Sequence, residues 1–267
     1  MIRVIVDGAA GKMGKRIINL IEQDENLELV GAVEYSKSPY IGKDIGEVMG
    51  LQKKNVAVSS NLEDIVSQGE VIIEFSSPEA TLKHTRIAAN NKKAMVIGTT
   101  GLSDDDIKEI KKLSVATPIM MAPNMSLGVN ILFKIVEDVA KMLDKDYDIE
   151  IVEMHHRLKK DAPSGTALKL AEYAAKGLGE NLSDVGVFSR NGIIGERKEK
   201  EIGVMSLRGG DVVGDHTVIF AGSGERLEFT HKASSRDTFA IGAVRAAKWV
   251  VDKLPGLYDM KDVLGIK

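Results

Sequence analysis

The sequence predicts an α/β fold in two parts, a parallel-sheet domain followed by an α+β domain with a mixed, largely antiparallel sheet. Three observations carry that prediction. Short β-rich runs alternate with amphipathic stretches from residue 2 to 122, three glycines separate the first run from the first helix, and residues 185–231 hold short runs split by glycine turns. Strands alternating with helices imply parallel pairing. The expected division is 1–126 with 237–267 as one domain and 127–236 as the other.

Residues 2–6 form the first strand, Gly8, Gly11 and Gly14 follow, and residues 15–23 set Ile17, Ile18, Leu20 and Ile21 on one helical face. A glycine turn between strand and helix lets the backbone approach a pyrophosphate, while the helix N-terminus offers amides and the positive dipole end. The spacing is GxxGxxG, with Ala10 where the usual second glycine stands. A second strand, 27–33, ends at Glu34, about 20 residues past Gly14, where a carboxylate accepts from the ribose hydroxyls of NAD. Tyr35 follows and Lys37 lies two residues further on, so NADH is expected over NADPH.

Strand 71–75 ends in Ser76, Ser77 and Pro78 before a helix at 79–90, and strand 94–97 ends in Gly98, Thr99, Thr100 and Gly101 before a helix at 103–114. Strand 118–122 ends in Pro123, Asn124 and Met125. Parallel sheets bind ligands at the carboxyl ends of their strands, so these turns are expected beside the cofactor, although each alone is also ordinary loop chemistry. Residues 126–143 carry Val129, Leu132, Ile135, Val136, Val139 and Met142 as a helical stripe and read as a linker helix into a strand at 151–160. Residues 203–206, 208–213, 215–221 and 226–231 read as strands, expected to pair antiparallel. Helix 237–253 and a short tail are expected to fold back on the first domain.

The chain has 267 residues, a net charge of -3, 43% hydrophobic and 28% charged residues, an ordinary globular balance with no field to attract nucleic acid. Zero cysteines exclude disulfides, thiolate metal sites and cysteine nucleophiles. The chain begins at once with a strand, and no run approaches the ~18 apolar residues of a membrane span, so a cytoplasmic address without membrane partners is expected.

The densest chemistry is Glu153, His155, His156, Arg157, Lys159 and Lys160, followed by Pro163, Ser164, Gly165 and Thr166. On a strand the period of two puts His155, Arg157 and Lys159 on one face. Ser164 is an N-cap for the next helix, which turns the amides of Gly165 and Thr166 toward an anion such as a carboxylate. A solvated strand tip is the competing reading. His231, Lys232 and Arg236 form a second basic group, either near the first or a solvated strand end. Adjacent histidines on a strand point apart, and no HExxH or cysteine set accompanies them, so no metal site is expected. Ser164 lies in PSGTA rather than a GxSxG elbow, and capping explains it.

GAAGKMG at 8–14, IGTTG at 97–101, APNMSLGVN at 122–130, EMHHRLKKDAPSGTA at 153–167 and HKASSRDTFAIGAVRAA at 231–247 resemble the bacterial 4-hydroxy-tetrahydrodipicolinate reductases, also called dihydrodipicolinate reductases, essentially over the whole length. The resemblance implies a Rossmann-like domain binding NADH or NADPH, a substrate domain for a small dicarboxylate, a homotetramer, and a place in diaminopimelate and lysine synthesis. By position it implies His155 as acid/base, Lys159 as proton donor, and His156 with the amides of Gly165 and Thr166 as substrate contacts. It places the cofactor against Gly8, Ala9, Ala10, Gly11, Lys12, Met13, Glu34, Gly98, Thr99, Thr100, Ala122, Pro123, Asn124 and Met125. Tyr35 stands where many members carry an arginine. The alternatives are another Rossmann dehydrogenase with a carboxylate substrate, such as an aspartate dehydrogenase, and a nonenzymatic NADH sensor. The 153–167 block argues against both.

Overall fold

In the computed structural model, which describes residues 1–266, the chain divides into two units, Met1–Ser126 with Asp237–Lys267, and Leu127–Arg236. The first unit runs β1 (Ile2–Asp7), α1 (Lys12–Ile21), β2 (Leu27–Val33), α2 (Ile45–Val48), β3 (Val58–Ser59), β4 (Val71–Glu74), α3 (Pro78–Asn90), β5 (Ala94–Ile97), α4 (Asp104–Leu113) and β6 (Pro118–Met121). The second runs α5 (Leu127–Leu143), β7 (Asp148–His155), α6 (Gly165–Gly177), α7 (Leu182–Val185), β8 (Gly186–Val187), β9 (Ile202–Arg208), β10 (Gly214–Ala221) and β11 (Arg226–Ala233). The chain then returns to the first unit with α8 (Asp237–Val250), β12 (Gly256–Tyr258) and α9 (Met260–Leu264).

The first sheet is parallel throughout, in the order β12-β6-β5-β4-β1-β2-β3. Its central strands are unbroken apolar runs, because helices cover both faces: Val4, Ile5 and Val6 of β1 and Val71, Ile72 and Ile73 of β4 are fully buried. The chain leaves β1 toward β2 and later returns on the other side with β4, so the strand order reverses between β1 and β4. Crevices at such reversals are where doubly wound sheets bind ligands. Helix α1 starts at Lys12, earlier than its apolar stripe suggested, since its polar first turn is invisible to periodicity. β12, unforeseen, adds three residues beside β6.

The second sheet has the order β11-β10-β7-β9-β8. β10 runs antiparallel to β11 and β7, whereas β7 with β9 and β9 with β8 are parallel. The sheet is therefore mixed, with most of its paired residues antiparallel as expected, and α6 serves as the crossover between the parallel strands β7 and β9. Helix α5 is no linker: Val129, Leu132, Phe133, Val136 and Ala140 pack with Ile149, Ile151, Leu170 and Phe220 in this unit's core, and Met142 is exposed.

β7 stops at His155 instead of continuing to Lys160. His155↔Arg208 and Met154↔Asp215 are the last pairs it can make, since β9 ends at Arg208 and β10 starts at Gly214. Beyond them Lys159 N donates to His156 O at 3.1 Å and Arg157 N to Gly210 O at 3.2 Å, closing turns. Residues 209–213, expected within a strand, are the link between β9 and β10.

Candidate active site

In the first unit Gly8 N and Ala9 N donate to Val33 O at 3.0 and 3.1 Å, bending the chain as it leaves β1. Gly8 adopts φ 73°, and a Cβ on Gly14 would lie 2.2 Å from Gly8 O, so α1 can close on this turn only with glycine at both positions. Gly11 caps α1 without a side chain, and no acid stands in the first turn, an arrangement suited to an anion. Glu34 Oε1 accepts from Ala10 N at 2.8 Å, which holds the carboxylate against the turn.

A cavity of about 490 Å³ opens here, lined by Gly11, Lys12, Met13, Phe75, Ser76, Gly98, Thr99, Thr100, Pro123, Met125 and Phe239. Gly8, Ala9, Ala10 and Glu34 form the adjoining turn rather than the lining. Ala122 N donates to Ile97 O at 3.1 Å and Asn124 Oδ1 accepts from Ser126 N at 2.9 Å, so both shape the loop that carries Pro123 and Met125. Ser76 lies in a turn expected beside the cofactor, whereas Phe75 and Phe239 were not foreseen as lining. Phe75 was read as the last residue of a buried strand, and Phe239 arrives on α8 from a distant part of the chain. The size lies within the ~300–1,000 Å³ of small-molecule sites. The phosphate-ready helix start and apolar lining fit a nicotinamide dinucleotide.

In the second unit the inward face of β7 runs Ile149, Ile151, Glu153, His155, apolar in the core and ionisable at its carboxyl end. The register lines up Ser206, Glu153, His216 and His231 across four strands. Glu153 is fully buried. It accepts both guanidinium branches of Arg208 at 2.8 Å, Ser164 N at 3.0 Å and His155 Nδ1 at 2.6 Å. Burial alone would raise its pKa, but Arg208, His155, Ser206 and the Ser164 amide hold it down at about 2. Glu153 therefore accepts a hydrogen bond from Nδ1–H of His155 and leaves Nε2 as the nitrogen for proton exchange. That edge of the ring crosses Gly214, where a Cβ would lie 2.9 Å from Nε2.

Ser164 caps α6, its hydroxyl accepting from Ala167 N at 3.2 Å and lying 3.0 Å from His216 Nε2. Burial, then the neighbouring His155, lowers His216 to about 4. Its ring meets that of His155 edge-on, with centroids 5.2 Å apart. Gly165 and Thr166 open α6 beside this cluster. Lys159 is mostly buried, its Nζ 2.9 Å from Asp161 Oδ1, while Arg157 and Leu158 face solvent. His156 Nδ1 is buried without a partner among the described residues. Arg208 and His216 were missed as site residues because no local motif contains them, and Glu153 because its role depends on their arrival.

Residues 2–125 match the family model described as dihydrodipicolinate reductase, N-terminus, and residues 128–264 the one described as dihydrodipicolinate reductase, C-terminus. The chain is 54% identical over 267 residues to the 4-hydroxy-tetrahydrodipicolinate reductase of Syntrophus aciditrophicus (strain SB), covering 100% of each. It is also 54% identical to that of Desulfotalea psychrophila, covering 100% of this chain and 99% of the relative. A solved dihydrodipicolinate reductase from Paenisporosarcina sp. TG-14, described as dipicolinate-bound, matches with a TM-score of 0.78 and 26% identity over 97% of each chain.

Proposed function

The chain belongs to the dihydrodipicolinate reductase family, and we propose that the Glu153–His155 cluster with Lys159 carries its proton chemistry. It is an NAD(P)H-dependent oxidoreductase that reduces 4-hydroxy-tetrahydrodipicolinate to tetrahydrodipicolinate in the diaminopimelate and lysine route. The bound reduced nicotinamide supplies the hydride, and balance then requires one proton taken up and one water released. Lys159 delivers that proton, and His155, oriented through Nδ1 by Glu153, exchanges a proton through Nε2. His156 and the first amides of α6, at Gly165 and Thr166, hold a substrate carboxylate. The observation that carries this reading is a buried carboxylate fixing the tautomer of His155 beside the capped start of α6.

Gly8, Ala9, Ala10, Gly11, Lys12 and Met13 take the cofactor diphosphate, with Gly98, Thr99, Thr100, Ala122, Pro123, Asn124 and Met125 around the rest. Glu34 favours NADH, since a carboxylate there accepts from ribose hydroxyls and repels a 2′-phosphate, and the adjacent Tyr35 offers no cation. The enzyme works in the cytoplasm as a homotetramer. Exposed Phe188, Ile193 and Ile194 in the second unit support the assembly, and no described helix is long and apolar enough to cross a membrane.

The test is loss of reduced-cofactor absorbance, with NADH and NADPH in parallel and substrate generated in place from pyruvate and aspartate semialdehyde. Lys159→Ala and His155→Gln should each lower turnover by about 10²–10⁴ with NADH binding intact. Unchanged turnover in both would remove these residues from the chemistry.

A further inference from the structure

β1 and β4 lie side by side where the strand order reverses, and their last residues, Asp7 and Glu74, are paired in register. Ile5 and Ile72, two residues earlier, belong to the core beneath α3, so the period of two turns both carboxylates onto that face. Asp7 and Glu74 are 2% and 0% exposed. His84 descends from α3 with Nδ1 against Asp7 Oδ2 and 3.2 Å from Glu74 Oε2. Two carboxylates this close in apolar surroundings cannot both stay ionised without a cation. The His84 imidazolium supplies the charge for Glu74, while Asp7, pushed up to about 8 by burial and the charge of Glu74, keeps its proton at neutral pH. Burial opposes the charge on His84, yet the two acids outweigh it and raise its pKa to about 9.

Each acid also holds the chain just beyond its own strand. Asp7 Oδ1 accepts from Gly8 N at 2.8 Å, and Glu74 Oε1 accepts from Ser76 N at 2.9 Å and from the Ser76 hydroxyl. Ser76 N lies 3.1 Å from Thr99 Oγ1, which brings in the loop after β5. The first two turns already touch, since a Cβ on Gly8 would sit 2.3 Å from Phe75 O. Ser76 and Thr99 line the 490 Å³ cavity, and Gly8 starts the turn beside it.

We propose that His84 is a positioning residue for cofactor binding: by tying Asp7 to Glu74 it sets the spacing between the Gly8 turn and the Ser76–Thr99 turns, and so the affinity for the cofactor. The proposal rests on the reading of the first unit as the nicotinamide site. Loss of His84 slackens both turns and strands acidic charge behind the amides that receive an anionic diphosphate. Neither consequence touches the proton chemistry of the second unit.

The experiment titrates NADH fluorescence on the full-length wild type, His84→Ala and His84→Asn, with steady-state kinetics and thermal unfolding on each. Asn places an amide N–H near the position of Nδ1 without the charge. His84→Ala should raise the Kd and KM for NADH about tenfold, as expected for buried acceptors losing their donor, and His84→Asn should recover roughly threefold of that. In both, kcat should fall by less than about twofold and the substrate KM should hold, the pattern of lost cofactor binding alone. An unchanged Kd in His84→Ala overturns the proposal. So does a uniform loss in kcat and both KM values with a lowered Tm, which assigns His84 to folding. A wild-type chain that binds neither NADH nor NADPH overturns instead the cofactor reading beneath it.

Discussion

Both units end an inward strand face with a buried carboxylate, and they treat it in opposite ways. In the first, Asp7 and Glu74 share one histidine, and burial, then the charge of Glu74, pushes Asp7 up to about 8. In the second, Glu153 alone receives an arginine, a histidine and a backbone amide and stays near 2. Asp7 and Glu153 are almost equally buried, at 2% and 0% exposure. Burial pushes both carboxyls upward; Asp7 has the charge of Glu74 added to that push, whereas Glu153 has enough donors to outweigh it. One cluster is short of cations and the other is rich in them.

The largest effect should come from removing a donor where donors decide the outcome. Arg208→Met leaves Glu153 buried with its charge under-compensated, and urea unfolding should show a loss of ~3–5 kcal/mol. Adding Glu153→Gln to that variant should restore part of the loss. A loss under about 1 kcal/mol in Arg208→Met would mean that the remaining donors suffice and that the contrast between units is overstated.

A pH series should separate the two clusters by sign. Glu153 has a lowered pKa, so its stabilisation is present above its ordinary 4.5 and fades as pH falls toward 2. His216, lowered to about 4, stays neutral in the folded state while the unfolded chain binds a proton below 6.5, so stability also drops from 6.5 toward 4. The Asp7–His84 cluster of the first unit weakens in the other direction. The contribution of His84 is complete below 6.5 and is lost as pH rises through about 9. Asp7 keeps a proton that the unfolded chain releases above 3.8, so its effect likewise turns against folding as pH rises toward 8. Trp249, the chain's one tryptophan, lies on α8 of the first unit, so its emission should report the alkaline loss. Circular dichroism should show an acid loss shared by both units, since Asp24, Asp44 and Glu70 of the first are also held low, and an alkaline limb, followed by Trp249, that flattens in Asp7→Asn. An alkaline limb unchanged in Asp7→Asn would erase the distinction.

The smallest effect belongs to a cap. Ser164→Ala should cost about 1 kcal/mol by thermal unfolding, the usual value for an N-cap, with some addition from the lost contact to His216. No change would show that α6 is held by its core face alone.

Much of this was legible in the residues. The strand and helix alternation, the glycine turn after β1, the helix start at Ser164 and the return of the chain at Asp237 all rest on local rules: periods of 2.0 and 3.6, the backbone freedom of glycine, and the capping of free amides. The polar turns after β4, β5 and β6 followed from one topological rule about parallel sheets. The sequence by itself determined most of the strands and helices and which polar turns stand at the carboxyl ends of β4, β5 and β6. Only the tertiary structure decided that β7 stops at His155, where its neighbours end, and that β9 runs parallel to it. It also decided that Arg208 and His216 converge on Glu153, and that His84 bridges Asp7 and Glu74. These partners are joined by register between strands and by the seating of a helix on a sheet. Hydrophobic periodicity specifies which face of a strand is buried, but it carries no record of which distant side chain meets that face.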